Sequence, residues 1–365
     1  MDVATIGAGF VGSFFSYHLA KRGVDVTIFE EDKNIGTPHC TGILGITGLE
    51  RLDILDWVAK EGLISNKISG AKIFSRSGKM LRIDTGRPIA YIVDREGLDR
   101  SIFNKAIEAG ADFKLGERIK RVSIDGSFSS NIRKYKAKVI AVAEGAKRVL
   151  IRGFKGVNLK GLLPAVQIDV RANPNLETDF VEVHFIVPDF FLWVVPVTDD
   201  GKIWRVGGAS LKMSRNLYFL VRLLARRRLG KFKLIRKFGG IVVSKGNIKK
   251  FVWGRVIAIG DSAGHVKPTT GGGVVFGGIG AFIAAIIVKK FLEGRRNLTD
   301  YELIWKRYFS AEMSIMKGIR FILNLLGDAG IDYIFHFIPS ITLRGLRGDF
   351  DFHSDAIFRF LRIRR

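Results

Sequence analysis

The stretch VATIGAGFVG, residues 3–12, joins a short apolar run to a glycine-rich turn. Residues 3–6 predict a buried strand, and residues 13–21 predict a helix that ends before Gly23. A second apolar run, residues 24–29, predicts another strand, which Glu30 follows. The glycines have the spacing G-x-G-x-x-G. In a strand–turn–helix–strand setting, this spacing is typical of a Rossmann-type site for an adenine dinucleotide.

Each glycine in this turn has a physical reason to be there. Gly7 permits the tight turn, Gly9 lets the backbone approach a pyrophosphate, and Gly12 lets the helix pack closely on the strand. The helix N-terminus supplies partial positive charge to the phosphates. Glu30 stands where it can accept hydrogen bonds from a ribose. The turn therefore predicts an adenine dinucleotide without saying which one.

The composition limits the class of protein. The chain has 365 residues, of which 47% are hydrophobic and 26% charged, enough for a core and for two domains. A disordered or collagen-like chain is excluded. The single cysteine, Cys40, excludes a disulfide framework and a cysteine-built metal site, and the histidines lack metal-ligand spacing. We expect an intracellular, metal-free protein without a signal peptide. The eighteen uncharged residues 271–288 include six glycines, which favours a buried helix over a membrane-spanning one.

The positive charge is concentrated in one stretch. The formal net charge is +24, and the sixty residues 201–260 hold sixteen Lys or Arg and no acid. Ser214 can cap a helix that ends at Gly230 with Arg226, Arg227 and Arg228 in its last turn. A solvated helix end is one interpretation of this charge, and an anionic partner is the other. Without a zinc finger, an RNP-type motif or a zipper, nucleic acid is the weakest candidate partner. A lipid surface or a phosphorylated substrate fits better.

The C-terminal residues 313–365 mix phenylalanines and leucines with arginines. This composition is typical of an interfacial segment, and docking on the protein's own core is the alternative. If the segment is interfacial, the protein is cytoplasmic and peripheral on the inner face of the cell membrane.

The segment GDSAGHVKPTTGGG, residues 260–273, follows an apolar strand and opens the long apolar helix. It resembles the GD-x-A-G-x-x-x-P-x-x-G-x-G segment of flavoproteins with the p-hydroxybenzoate-hydroxylase-like fold. The resemblance implies FAD, with Asp261 at the ribityl chain and the following glycines at the flavin ring. The segments VDREGLD (93–99) and residues 119–124 also match, and AEGA (143–146) stands where the family usually has A-D-G-x, with Glu144 in place of the aspartate. The cofactor-binding residues implied are Gly7, Gly9, Val11, Gly12, Glu30, Cys40, Gly42, Arg95, Val122, Asp261, Pro268, Gly271, Gly272, Gly273 and Val274.

Two further segments carry a more specific resemblance, to geranylgeranyl reductases and especially the archaeal digeranylgeranylglycerophospholipid reductases. GTPHCTG (36–42) is similar to their P-x-x-C-x-G segment, with one residue fewer between Pro and Cys, and FLWVVP (191–196) resembles their Y/F-x-W-x-F-P. The resemblance implies Cys40 and His39 as catalytic residues, and Phe191, Trp193 and Pro196 as substrate residues. For the aromatic pair, plain core packing is the alternative.

The resemblance implies an α/β fold with a Rossmann-like FAD domain from residues 1–68, 95–150 and 252–295. Antiparallel strands in residues 69–94 and 151–251 then form a substrate domain, and residues 296–365 form C-terminal helices and a basic tail. The implied reaction is saturation of isoprenoid double bonds in membrane-lipid precursors, with reduced ferredoxin or NAD(P)H as the electron donor. A monooxygenase of the same fold and a membrane-surface protein that retains flavin without this activity stay open as alternatives.

Overall fold

A computed structural model describes residues 1–36, 40–246, 248–337, 340–342 and 349–352. The chain divides into two compact units. Unit 1 comprises residues 1–38, 95–161 and 243–314, and unit 2 comprises residues 39–94, 162–242 and 315–365.

The strands of the described residues are, in chain order, β1 (Val3–Ile6), β2 (Val26–Phe29), β3 (Ile43–Gly45), β4 (Ile64–Ile68), β5 (Gly70–Phe74), β6 (Met80–Asp84), β7 (Ala90–Val93), β8 (Asp112–Lys114), β9 (Ile119–Val122), β10 (Ser127–Ser130), β11 (Lys134–Lys136), β12 (Val139–Val142), β13 (Leu162–Arg171), β14 (Phe180–His184), β15 (Leu192–Pro196), β16 (Ile203–Ala209), β17 (Lys233–Val243), β18 (Val252–Trp253), β19 (Val256–Ala258) and β20 (Ser340–Thr342). The α-helices are α1 (Phe10–Ala20), α2 (Ile46–Arg51), α3 (Leu55–Lys60), α4 (Arg95–Glu108), α5 (Leu217–Leu229), α6 (Val274–Leu292) and α7 (Thr299–Phe337). Short 3-10 helices cover Gly145–Lys147, Ser214–Asn216 and Gly260–Ser262.

Unit 1 is built on a six-stranded sheet in the order β18-β19-β12-β1-β2-β8. All neighbours are parallel except the β18–β19 pair. The strands β1, β2 and β12 are buried along their whole length, as expected for apolar runs in a sheet covered on both faces. Helix α1 packs against α4 and α6. The parallel sheet with flanking helices confirms the predicted Rossmann-like part of the α/β fold.

Unit 2 is built on an eight-stranded sheet in the order β17-β13-β16-β15-β14-β5-β6-β20. Helix α5 packs on β13 and β16 and closes an apolar core around Trp204 and Leu224. The predicted strands are present, but the sheet is mixed rather than purely antiparallel. The β5–β14 and β6–β20 pairs are parallel. A long connection separates each of these pairs in the chain, which is what a parallel pairing requires.

The division into units differs from the boundaries expected from the sequence. Residues 39–68 lie in unit 2, because β3 and β4 both pair with β7, so that these strands form a separate three-stranded sheet. Unit 1 extends over residues 243–314. The segment 315–337 of α7 belongs to unit 2, where Ile331 and Phe335 pack with Leu81 of β6.

Two helices differ from expectation in detail. The predicted helix from Ser214 begins as a 3-10 turn, and the N-cap of α5 is Asn216, which makes no side-chain cap hydrogen bond. The C-terminal helix runs on to Phe337 with a break in helical geometry at Gly327, whose φ is 58°. In the described part of the chain, α6 is long and apolar enough to cross a membrane, but 61% of its most apolar window is buried. A core helix has the same properties, so length and composition are weak evidence for a membrane span.

Candidate functional site

The glycine-rich turn between β1 and α1 is shaped by two glycines that have no room for a side chain. A Cβ on Gly7 would lie 2.4 Å from the carbonyl oxygen of Ala143, and Gly7 has a φ of 107°. A Cβ on Gly12 would lie 2.0 Å from the carbonyl oxygen of Gly7. Gly9 differs, because its nearest neighbour would be the Asp99 Oδ2 at 3.9 Å. The fold itself therefore requires Gly7 and Gly12 but leaves the space beside Gly9 open, as a site for a pyrophosphate needs.

Glu30 lies at the end of β2, facing the same turn. Its Oε2 accepts a hydrogen bond from the Ala8 backbone N–H at 2.8 Å, and its Oε1 accepts one from the Asp32 N–H at 3.1 Å. These bonds fix the carboxylate beside the turn, while each oxygen keeps a further lone pair for a ribose hydroxyl.

A cleft of about 280 Å³ opens at this edge of the sheet. Its wall includes Gly7, Gly9 and Glu30 from the turn, and Arg118 and Ile119 at the start of β9. Val122, the predicted cofactor residue of this strand, pairs with Phe128 of β10, whereas Ile119 lines the cleft. The cleft brings together the predicted phosphate and ribose groups. It adds Arg118, which sequence reasoning missed because no local pattern distinguishes it from other surface arginines.

The loop after β12 forms another wall of the cleft. The carboxylate of Glu144, which belongs to this loop, binds the loop's own backbone. The Glu144 carboxylate accepts hydrogen bonds from the Val149 N–H at 2.8 Å and the Leu150 N–H at 3.0 Å. Burial raises the pKa of Glu144 despite these bonds. The carboxylate that replaces the aspartate of the related motif therefore stabilises its own loop.

Arg148 links this loop to the segment 260–273, which contains Asp261. It is almost completely buried and adopts a φ of 50°, unusual for a residue other than glycine. Its Nη2 donates to the Asp261 carbonyl and its Nη1 to the Asn158 carbonyl, both at 3.1 Å. Burial lowers the pKa of this guanidinium. Arg148 was missed in the sequence because its partners are distant in the chain.

The carboxylate of Asp261 is a hydrogen-bond acceptor without a donor among the described residues. Burial raises its pKa, against the opposing effect of Arg148 and Arg95. A Cβ on Gly273, the N-cap of α6, would lie 2.4 Å from the Asp261 Oδ1. The glycine thus lets the helix start directly beside this carboxylate. An unused, desolvated acceptor suits a ligand with hydroxyl groups.

The N-terminus of α6 is an exposed cradle of glycines. Gly271 and Gly273 are half-buried and Gly272 is exposed, whereas residues 262–269 are buried. The first N–H groups of a helix have no partner within it and carry partial positive charge. Pro268 and Val274 are buried at either end of the cradle. The open space at Gly9, the Asp261 carboxylate and this cradle fit the pyrophosphate, ribityl chain and ring of a flavin dinucleotide.

Two other predicted cofactor residues of unit 1 have contacts within the protein. Arg95 begins α4, and its Nη2 donates to the Asp99 Oδ1 at 2.9 Å. The Val11 side chain packs between Gly260 and Gly277, where added Cβ atoms would lie 3.0 and 2.8 Å away. Through Val11, Gly277 lets α1 approach α6 closely, and Gly260 lets it approach the 3-10 helix Gly260–Ser262.

In unit 2, the segment around Cys40 is held to the large sheet by its backbone. Cys40 is half-buried, and its Sγ accepts a hydrogen bond from the Gly42 N–H at 3.4 Å. Gly42 has a φ of 84°, and a Cβ there would lie 2.7 Å from the Val93 carbonyl oxygen. The Cys40 carbonyl accepts hydrogen bonds from the side chains of Gln167 and Arg205, both at 3.3 Å. The other predicted catalytic residue, His39, lies outside the described residues.

The predicted substrate residues lie on or next to β15. Phe191 stacks on Phe190 with ring centroids 4.2 Å apart, and Trp193 lies edge-on to Phe191 at 6.1 Å. The Trp193 Nε1 donates to the Gln167 Oε1 at 3.0 Å. Pro196 is buried at the end of the strand. Phe191 and Trp193 pack with one apolar cluster, which is the environment that either core packing or a hydrocarbon-lined site needs.

The basic stretch is not one uniform surface. Arg228 forms a two-bond ion pair with buried Glu182, at 2.7 and 2.6 Å, and Arg205 and Arg236 both pair with Asp169. The exposed residues of α5 are different: they include Phe219, Arg222, Leu223, Arg226 and Arg227, which recur at helical spacing. This helix face, named here the α5 face, combines positive charge with exposed apolar side chains.

Comparison with known proteins gives three kinds of similarity. The NAD(P)-binding Rossmann-like domain family matches residues 5–41. An uncharacterized protein of Methanocaldococcus jannaschii is 29% identical, over 91% of this chain and 87% of its own. Digeranylgeranylglycerophospholipid reductase 2 of Methanothermobacter thermautotrophicus is 28% identical over 99% and 95%. A solved structure of a geranylgeranyl bacteriochlorophyll reductase-like protein from Thermoplasma acidophilum superposes with a TM-score of 0.85 at 21% identity, over 99% of this chain and 97% of that one.

Proposed function

Because this chain is a homologue of the digeranylgeranylglycerophospholipid reductases, we propose that it is an FAD-dependent reductase that saturates geranylgeranyl double bonds of membrane-lipid precursors. The observation that carries the proposal is the unused carboxylate of Asp261 beside the glycine cradle of α6. A flavin dinucleotide needs such an acceptor and helix start for its ribityl chain and ring. A Rossmann turn that binds NAD does not need them. The full-length similarity to named reductases supports the choice of reaction.

In this proposal the residues of unit 1 hold FAD. Gly9 makes room for the pyrophosphate, Glu30 binds the ribose, Asp261 binds the ribityl hydroxyls, and Gly272 and Gly273 donate backbone N–H groups toward the ring, whereas the Gly271 N–H donates to the Lys267 carbonyl at 2.8 Å. When bound and reduced, the flavin supplies a hydride. The protein must then deliver a proton to the other alkene carbon and exclude water, because an isolated double bond is a poor hydride acceptor.

The residues of unit 2 serve the substrate. Cys40 supplies or positions the proton, and the aromatic side chains of Phe191 and Trp193 contact the hydrocarbon chain. The electrons come from reduced ferredoxin or NAD(P)H. A cationic side chain of the basic stretch binds the anionic headgroup or the membrane that contains it.

The experiment is purification of the protein, a flavin spectrum, and mass spectrometry of unsaturated archaeal-type glycerophospholipids after incubation with the chemically reduced protein. We expect stoichiometric FAD and products that have gained a hydrogen pair for each reduced double bond. The Cys40→Ser variant should retain FAD and reduce the lipid at least about tenfold more slowly, the smallest effect expected for a lost proton donor. Oxygen-dependent hydroxylation would instead identify a monooxygenase, and bound FAD without lipid turnover would leave a flavin-retaining protein.

We propose further that the protein is peripheral on the cytoplasmic face of the cell membrane and binds through the α5 face. Phe219 is 66% exposed and Leu223 is 53% exposed, and Arg222, Arg226 and Arg227 of the same face are exposed beside them, accessible to anionic headgroups. Apolar side chains that enter the headgroup region and arginines that pair with phosphates act together on one helix. The exposed Phe321, Ile322 and Leu325 of α7 are a second candidate surface.

Sedimentation with phosphatidylglycerol vesicles tests this localisation. Each Lys or Arg near an anionic surface contributes about 1 kcal/mol, so reversal of Arg226 and Arg227 to Glu should weaken binding by at least about tenfold. The matched control reverses the exposed Lys134 and Lys136 of β11 to Glu. Binding should fall as salt screens the charges. Equal release by both pairs, or no binding of the wild type to these vesicles, would refute the assignment.

A further inference from the structure

Three neighbouring strands of unit 2 place Gln167, Gly207 and Trp193 side by side. Gln167 of β13 pairs with Gly207 of β16, which pairs with Trp193 of β15. A Cβ on Gly207 would lie 2.6 Å from the Trp193 ring, so the glycine leaves room for the indole to lie across β16. The indole Nε1 reaches the Gln167 Oε1 at 3.0 Å. Trp193 therefore orients the amide of a residue two strands away.

The other end of this amide contacts the Cys40 segment. The Gln167 Nε2 donates to the Cys40 carbonyl at 3.3 Å. Arg205 Nη1 donates to the same carbonyl at 3.3 Å and to the Thr41 carbonyl at 2.8 Å. Asp169 holds the guanidinium through two bonds of 2.8 and 3.1 Å. Gln167 and Arg205 are both buried, so their bonds form in a low-dielectric environment, where they are strong and where a lost partner is costly.

The backbone that follows the thiol is also held at Gly42. Gly42, whose N–H donates to the Cys40 Sγ, packs against the Val93 carbonyl and the Arg205 guanidinium. A side chain at residue 42 would meet both groups, since its Cβ would lie 2.7 and 3.3 Å from them. The position of the Cys40 thiol is thus set by side chains of the large sheet.

We propose that Gln167 and Arg205 are positioning residues for the Cys40 thiol and that Trp193 is the anchor that orients Gln167. The aromatic segment 191–196 then has a second role besides contact with a hydrocarbon, because it fixes the cysteine segment through one amide. The inference rests on the proposed role of Cys40 in the reductase reaction. It predicts a coupling between two segments that are more than 150 residues apart in the chain.

The test uses the fact that Cys40 is the only cysteine of the chain. Alkylation of the FAD-loaded protein by iodoacetamide, followed over a range of pH, therefore reports on this thiol alone. Loss of one hydrogen bond in the network should change the alkylation rate by about two- to tenfold. We expect this change for Gln167→Leu, which loses both bonds of the amide, and for Trp193→Phe, which keeps the ring and loses the indole donor. Gln167→Glu keeps the acceptor for Trp193 and loses the donor to Cys40, so it should resemble Gln167→Leu.

The matched control is Trp204→Phe. Trp204 lies on β16, is more deeply buried, and donates its indole N–H to the Gly201 carbonyl rather than to Gln167. Its loss should lower the melting temperature without altering the rate or pH profile of Cys40 alkylation. The proposal is overturned if Gln167→Glu and Trp193→Phe react at the wild-type rate, or if Trp204→Phe shifts the rate equally. Lipid reduction is measured in parallel: an inactive wild type would overturn the proposed function, while the alkylation rates would still decide this inference.

Discussion

An added methyl group would meet different surroundings at Gly9 and at Gly12. Substitution of Gly9 by Ala therefore tests cofactor binding, and substitution of Gly12 by Ala tests folding. Gly9 has a φ of −66°, which suits any residue, and an added Cβ would have only the Asp99 Oδ2 near it, at 3.9 Å. We therefore expect Gly9→Ala to change the free energy of unfolding of the flavin-free protein by no more than about 0.5 kcal/mol. A Cβ on Gly12 would lie 2.0 Å from the Gly7 carbonyl oxygen, so Gly12→Ala should destabilise the same protein by about 1–3 kcal/mol.

Gly9→Ala should hardly affect folding stability, but it should clearly weaken the binding of FAD. The methyl group of Gly9→Ala occupies the space for the pyrophosphate, and overpacking of about 1–3 kcal/mol corresponds to roughly a ten- to hundredfold weaker Kd for FAD. The assays are urea unfolding of the flavin-free protein and titration with FAD followed by flavin fluorescence. Gly153→Ala, whose Cβ would meet nothing within 4 Å, is the control for both. Wild-type FAD affinity of Gly9→Ala, or destabilisation equal to that of Gly12→Ala, would refute the assigned role.

Three further outcomes are expected. Burial, together with the neighbouring cations, lowers the pKa of His18 from 6.5 to about 4. Between these pH values the unfolded chain binds more protons than the folded one, so the free energy of unfolding should fall as the pH drops from 6.5 to 4. Urea unfolding at several pH values should show a less steep fall for His18→Phe. Arg228→Glu should lower the free energy of unfolding by about 3 kcal/mol, because it removes both bonds of the guanidinium and places a second carboxylate beside buried Glu182, which keeps its contact with the His184 Nε2 at 3.0 Å, whereas Arg226→Glu should leave it nearly unchanged in the same assay. Asp261→Ala should weaken FAD binding without destabilising the flavin-free protein, since that carboxylate accepts no hydrogen bond from the described residues and burial raises its pKa; a large fall in melting temperature would contradict this.

The parts of the fold and site that were predictable from sequence are those in which the chemistry lies within one short segment. The turn at residues 3–12 shows its glycine spacing within ten residues, although Gly7 is also packed against Ala143, and the segment 260–273 combines an acid and a helix start in the same way. The Rossmann-like fold and the resemblance to the reductases are accordingly confirmed. The roles assigned to the single residues of these segments stay predictions.

The parts that were not predictable depend on strand neighbours that are distant in the chain. Gln167 and Arg205 follow no motif, and only the register of β13, β16 and β15 brings them to Cys40. The same holds for the parallel pairing of β5 with β14, and for β7, which draws residues 39–68 into unit 2. Alternating apolar residues indicate a strand but do not say which strand lies beside it.

The basic stretch shows why local charge counting overestimates attraction to an anionic surface. Residues 201–260 hold no acid, so the sequence alone indicates that none of their cations is compensated. In the folded chain Asp169 faces both Arg205 and Arg236, and Glu182 faces Arg228, because strands from outside the stretch supply the acids. Reversal of all three arginines 226–228 would therefore destabilise the protein, through the loss of the Arg228–Glu182 pair, as well as remove surface charge. The exposed arginines of the α5 face lie next to apolar side chains instead, and these arginines carry the charge that the proposed membrane contact would use. Arg226 and Arg227 are exposed, and the buried pair with Glu182 belongs to Arg228, which is why the double reversal of Arg226 and Arg227 tests the proposed binding without a loss of folding stability.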